Sequence, residues 1–145
     1  MLVAYAAIAN GGTKFTPTVY KDAATPSINL GLNQDYLSIV RQGMREAVAT
    51  DGGTVRGLDR KDVTIAGKSG TAELDRAKTK VHTWVAGFFP YEEPKYSFIL
   101  FMENGPYKNQ VGASWVMKGV MNWIVANRPE YVGIATSSNA TTTTP

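Results

Sequence analysis

Two apolar runs separated by a proline-bracketed turn constrain the fold of this chain most. His82 to Phe89 places Trp84, Ala86 and Phe88 at even positions and Val85 and Phe89 at odd ones. Tyr96 to Glu103 sets Tyr96, Phe98 and Leu100 against Ile99 and Phe101. Successive side chains of a strand point to opposite faces, so a strand that is apolar at both parities has two faces to bury. The segment Pro90-Tyr91-Glu92-Glu93-Pro94 between the runs reads as a turn. These strands predict a central sheet with helices on each side.

A third strand-like stretch, Val63 to Leu74, carries the polar chemistry. Its centre reads Lys68-Ser69-Gly70-Thr71. On an extended strand Lys68 and Gly70 face one way and Ser69 and Thr71 the other. Lys68 supplies a compact positive charge, Ser69 and Thr71 supply hydroxyls, and Gly70 lets another chain come close because it has no Cβ. Such a strip suits an anionic, peptide-like ligand lying along a sheet edge. A surface strand that simply carries polar residues fits the local pattern as well.

Helical patterning supplies the covering layers. Leu2 to Ala9 reads as the end of a buried helix, stopped by Asn10-Gly11-Gly12. A domain that begins inside an apolar helix reads as cut, so the chain is expected to be a fragment. Thr13 to Tyr20 reads as a short extended piece and Lys21 to Leu32 as a loop or irregular hairpin. Tyr36 to Ala49, capped by Asn33 or Asp35, sets an apolar stripe of Leu37, Val40, Met44 and Val48 against polar Arg41, Arg45 and Glu46. Val55 to Asp62, Asp75 to Lys80 and Glu103 to Gln110 read as polar connections. In the last helix, Ser114 to Asn127, the expected packing stripe is Val116, Val120 and Trp123, joined by Met117, Met121 and Ile124. Trp115 and Trp123 read as core or helix-packing residues. From Ile134 the chain is rich in Ser, Thr and Asn, a composition that buries no core and predicts disorder. The expected division is 1–132 as folded domain and 133–145 as tail.

Composition narrows the function classes. The chain has 145 residues, 43% hydrophobic and 19% charged, which suits one domain or a large piece of one. The net charge of +3 comes without a Lys/Arg cluster interleaved with aromatics, so nucleic-acid binding is not expected. With no cysteine and one histidine, disulfides, thiolate metal sites and multi-histidine metal sites are excluded. No cofactor signature is present. No apolar run approaches the ~20 residues that cross a bilayer, so this chain is not expected to touch the membrane itself.

Several blocks, in one order, resemble the C-terminal part of the transpeptidase domain of class B penicillin-binding proteins. Lys68-Ser69-Gly70 matches the superfamily's Lys-Ser/Thr-Gly motif, and Thr71-Ala72-Glu73 continues in the class B manner. Ala4 to Gly12 resembles the family's Ala-x-Ala-x-Ala-Asn-Gly-Gly helix end, and Phe15-Thr16-Pro17 the segment after it. Gly43-Met44 and Gly53-Thr54 resemble its Gly-Met and Gly-Thr pairs. Thr83-Trp84-Val85-Ala86-Gly87-Phe88-Phe89-Pro90 resembles its Trp-Phe-x-Gly-x-x-Pro strand. The similarity covers roughly Met1 to Arg128.

The resemblance implies an α/β (α+β) fold with an antiparallel sheet flanked by helices on both faces. It implies a serine enzyme that attacks the D-Ala-D-Ala amide of a peptidoglycan stem peptide, forms an acyl-enzyme and cross-links the cell wall; β-lactams acylate the same serine. It places the intact domain on the extracytoplasmic side of the bacterial membrane. Carried over to this chain, Lys68 supplies positive potential for the donor carboxylate and the proton-transfer network. Ser69 hydrogen-bonds that carboxylate, Gly70 leaves room for the substrate backbone, and the Thr71 backbone N–H is one half of the oxyanion hole.

The family's nucleophile motif, Ser-x-x-Lys, occurs nowhere in the 145 residues; Ser114 precedes Lys118 by one position too many. Ser-x-Asn occurs as Ser27-Ile28-Asn29 and Ser137-Ser138-Asn139, both out of the family's order. The nucleophile is therefore expected upstream of Met1, in a missing N-terminal half that would be this chain's structural partner. Losing one oxyanion donor costs about 10²–10³ in rate, so the fragment alone is expected to be inactive. A non-catalytic binding module and a related DD-carboxypeptidase or β-lactamase-like hydrolase remain as alternatives. His82 reads as a strand-end surface histidine rather than a base, Trp84 as a packing residue near the cleft, and Glu92 and Glu93 as a solvated pair.

Overall fold

The computed structural model describes residues 1–77, 79–108 and 112–133. Its elements run α1 (Leu2–Ala9), β1 (Thr13–Phe15), β2 (Ser27–Asn29), α2 (Gln34–Ala49), a 3₁₀ turn (Arg56–Leu58), β3 (Ala66–Glu73), β4 (Lys80–Phe89), β5 (Tyr96–Pro106), α3 (Ala113–Asn127) and a second 3₁₀ turn (Pro129–Val132). The expected tail from Ile134 lies outside the described residues.

β3, β4 and β5 form an antiparallel sheet with β4 in the middle. β4 is the strand that its sequence demanded: Val85, Ala86, Gly87, Phe88 and Phe89 are all buried. Val85 and Phe89 meet Ala113, Met117 and Met121 of α3 on one face, in a core completed by Val48, Val55, Leu58 and Ile65. Phe88 meets Ala9 of α1, Met44 of α2 and Ala66 on the other face. Each large side chain so buried contributes about 1.5–3 kcal/mol. Helices thus cover both faces, as expected. β5 departs from the expectation: as an edge strand among the described residues it is only partly covered, and Phe101 is 53% exposed.

The helix ends are set by local chemistry. Asn10 N–H donates to the Ala6 carbonyl and Gly12 N–H to Ala7, with Gly11 and Gly12 at positive φ. At the start of α2, Asn33 Oδ1 accepts from the N–H groups of Asp35 and Tyr36, so Asn33 and not Asp35 is the cap.

Several side chains differ from their expected roles. Arg41 and Arg45 are not the solvent face of α2. Arg41 donates to the carbonyls of Ala9 (3.0 Å) and Tyr91 (2.9 Å), and its guanidinium lies over the Phe88 and Tyr91 rings. Arg45 donates to the Ile65 carbonyl at 3.1 Å and pairs with Asp59. Their aliphatic stems cover apolar surface while the charged heads satisfy carbonyls that the strands and helix ends leave free. On α3 the buried stripe is Ala113, Met117 and Met121, whereas Val120, Trp115 and Trp123 are exposed. Trp123 and Trp115 therefore leave the predicted core, because the helix turns its smaller and more flexible residues toward the sheet. Val40 on α2 is likewise exposed. Ser27-Ile28-Asn29 forms β2, and its pairing with β1 makes the hairpin that is one of the two expectations for this segment. The polar segment after Glu103 continues β5 to Pro106.

The β3–β4 connection is tied by Asp75, whose carboxylate accepts from Thr79 Oγ1–H and Thr79 N–H. These two donors hold the Asp75 carboxyl below the usual carboxylate range, the Thr79 hydroxyl more than the amide. A depressed carboxylate favours the folded turn above the unfolded-state value and loses that contribution as pH falls through the lower folded value. Thr79→Val is expected to raise the Asp75 titration midpoint toward that of a free carboxylate, read by carboxyl-carbon NMR. An unchanged midpoint would mean that the hydroxyl is not the cause.

Candidate functional site

β3 is bonded on one side only among the described residues. Leu74 N–H donates to the Lys80 carbonyl at 3.0 Å, which makes Leu74 and Lys80 a hydrogen-bonded pair. Such pairs alternate along an antiparallel ladder. In the observed register Ala72, Gly70 and Lys68 therefore bond to His82, Trp84 and Ala86. The N–H and C=O groups of Ser69 and Thr71 consequently point away from β4, to the open edge. Two side chains already use this edge: Arg45 on the Ile65 carbonyl and Lys68 Nζ on the Ser69 carbonyl at 2.5 Å. Charges along an open edge are a common protection against pairing with stray chains.

The side chains of β3 separate onto two grooves. Lys68 lies at one, of about 480 Å³, with Tyr5 and Ile8 of α1 and Val40, Met44 and Ala47 of α2. Ser69 and Thr71 line the other, of about 410 Å³, between β3 and the first turns of α3. Thr83, Trp84, Ser114, Trp115 and Lys118 also line it. The start of α3 is held there by Thr83 Oγ1, which accepts the Ala113 N–H at 3.3 Å. The second groove is thus rich in hydroxyls, with an exposed indole and an ammonium at its rim. Among the described residues no cluster of His, Asp and Glu is arranged to hold a metal.

Gly70 is required by a neighbour of its own chain. A Cβ at Gly70 would sit 2.0 Å from the Trp84 indole, which pairs with it across the strands. Trp84 is a packing residue at the groove, as its sequence suggested, and it occupies the space that Gly70 leaves on that face. His82 is held on the strand: its Nδ1 accepts the Asn104 N–H at 3.0 Å and its ring packs against Phe101. Glu92 is not merely solvated. It accepts from Thr64 Oγ1–H, which draws its carboxyl below the usual range.

Sequence reasoning singled out Lys68 to Thr71 but missed Thr54, Thr83, Trp115 and Lys118 as groove residues. Thr54 had a signal, the Gly53-Thr54 pair. Trp115 and Lys118 had none, because helical spacing alone does not tell a groove-facing aromatic from a packed one.

Comparison with known proteins decides the family. The family model of the penicillin-binding protein transpeptidase domain matches residues 1–122. The chain belongs to that family. Penicillin-binding transpeptidases are serine acyltransferases. Two solved structures from Helicobacter pylori share the fold. The penicillin-binding protein PBP2 is 28% identical, with a TM-score of 0.70 over 92% of this chain and 24% of its own. A complex between PBP2 and MreC gives 27% identity and a TM-score of 0.71, over 86% of this chain and 24% of the other. The chain therefore spans about a quarter of the length of those proteins. No curated protein matches it. The antiparallel sheet between helices is the fold of these penicillin-binding neighbours, as the motif order implied.

The Gly70–Trp84 contact is testable within this transpeptidase sheet. Gly70→Ala is expected to destabilise by about 1–3 kcal/mol through overpacking. In a Trp84→Ala background the same change is expected to cost much less, since the clashing indole is gone. Denaturant unfolding of the four variants measures both; equal losses in the two backgrounds would contradict the contact.

Proposed function

We propose that this chain, over residues 1–132, is the C-terminal portion of a peptidoglycan DD-transpeptidase domain and forms the substrate-binding wall of its active site. The observation that carries the reading is the open edge of β3. It offers the Ser69 N–H and the Thr71 N–H and C=O to an added strand, which is how extended peptides add to sheets. A stem peptide ending in D-Ala-D-Ala lies along this edge. Lys68 and the Ser69 hydroxyl attract its carboxylate, and the Thr71 N–H donates to the oxygen of the attacked carbonyl. Preorganised donors of this kind stabilise charge as it develops and so lower the barrier.

The serine that attacks is supplied by polypeptide outside these 145 residues, since no Ser-x-x-Lys is present. A β-lactam enters the same position and meets the same edge. The domain works on the cell-wall side of the membrane, and among the described residues no helix is long and apolar enough to cross it. The relative solved with MreC makes a protein partner for the whole enzyme a further expectation.

Two readouts on the isotope-labelled chain test this. Benzylpenicillin is expected to leave no covalent adduct by mass spectrometry. An acyl-D-Ala-D-Ala peptide at millimolar concentration is expected to shift the amide signals of Ser69 to Glu73 above all others. A stable adduct, or shifts centred away from β3, would overturn the reading.

A further inference from the structure

Thr54 sits where the two grooves meet: it lines both the one bearing Lys68 and the one bearing Ser69. The Ser69 hydroxyl donates to Thr54 Oγ1 at 3.0 Å, a contact between residues far apart in the chain. Thr54 is exposed, but its backbone is fixed on both sides. Gly53 N–H donates to the Thr50 carbonyl at 3.0 Å and Val55 N–H to the Ala47 carbonyl at 2.9 Å. A Cβ at Gly53 would fall 2.3 Å from the Ala47 carbonyl oxygen, so this tight return from α2 needs glycine. Val55 itself is 1% exposed and anchors the turn in the core. The hydroxyl of Thr54 is therefore presented to β3 by rigid backbone.

A hydroxyl has one proton to donate and lone pairs to accept with. In the structure the Ser69 proton is directed to Thr54 Oγ1. An arriving carboxylate accepts only, so Ser69 Oγ–H must turn to it. Ser69 Oγ is then left to accept, and the Thr54 hydroxyl is the neighbour placed to donate. Hydrogen bonds in such a chain polarise one another, so the pair binds an anion better than one hydroxyl. We infer that Thr54 is a positioning residue acting through Ser69: it holds the Ser69 hydroxyl at the groove and donates to Ser69 Oγ when a peptide carboxylate binds.

The inference rests on the proposed role of β3, and the experiment separates the two. Affinities are measured by NMR titration for a peptide ending in D-Ala-D-Ala carboxylate and for its carboxamide. Thr54→Val, which keeps the shape and removes the hydroxyl, is expected to weaken carboxylate binding about 3- to 10-fold, the size of one neutral hydrogen bond. Carboxamide binding should stay the same, Thr54→Ser should restore the carboxylate, and in Ser69→Ala the Thr54→Val change should have no further effect. Unchanged carboxylate affinity, equal loss for both peptides, or a full additional loss in Ser69→Ala would each overturn the role of Thr54 while leaving β3 as the binding strand. If the unaltered chain binds neither peptide, the reading of β3 falls and the role of Thr54 with it. A thermal melt of each variant shows that the fold is kept.

Discussion

Everything at the candidate site depends on the hydrogen bonding of β3, which is one-sided among the described residues. Pairing with β4 uses the backbone of Lys68, Gly70 and Ala72 and turns that of Ser69 and Thr71 outward. The same alternation sends the Lys68 side chain to one face and those of Ser69 and Thr71 to the other. A shift of one residue in this register would exchange all of these positions at once. The register is held by what lies beside it: Ala66 and Phe88 in one core, Ile65 and Val85 in the other, and Trp84 laid over Gly70. Packing of the sheet thus fixes which backbone groups a ligand can meet.

The open edge is itself guarded by polar chemistry. Arg45 occupies the Ile65 carbonyl, and Lys68 folds back onto the Ser69 carbonyl. Arg41 ties α1, α2 and the β4–β5 turn into one layer behind the strand. Cationic side chains along an open edge discourage nonspecific strand pairing, and in the proposed site they would favour an extended ligand that ends in an anion. In the proposed transpeptidase site this edge would serve as the peptide-binding wall. On that reading the strand would orient the peptide, and a serine outside these 145 residues would make the bond.

Legibility in the sequence followed the strength of each physical signal. β4 could be placed because its residues are apolar at both parities, although the same pattern in β5 belongs to an edge strand that leaves Phe101 exposed. Lys68 to Thr71 could be placed because charge, hydroxyls and glycine alternate on an extended chain, and because the surrounding blocks resembled one family in one order. The inward turn of Arg41 and Arg45 was not legible, since a helical stripe marks charged residues as solvent-facing without showing the free carbonyls that wait for them. The exposure of Trp115 and Trp123 was hidden for a related reason. On α3 apolar residues surround much of the helix, and only the sheet's position decides that Ala113, Met117 and Met121 are the buried ones. Thr54 depends on a turn closed by Gly53 and on tertiary contact with Ser69, neither of which local spacing specifies.

Amide hydrogen exchange along β3 reads which backbone N–H groups the sheet has used. Slow exchange is expected for Lys68, Gly70 and Ala72 and fast exchange for Ser69 and Thr71 in the unliganded chain. Protection of the Ser69 and Thr71 amides equal to that of Gly70 would contradict it, since the edge offered to the peptide would then already be bonded.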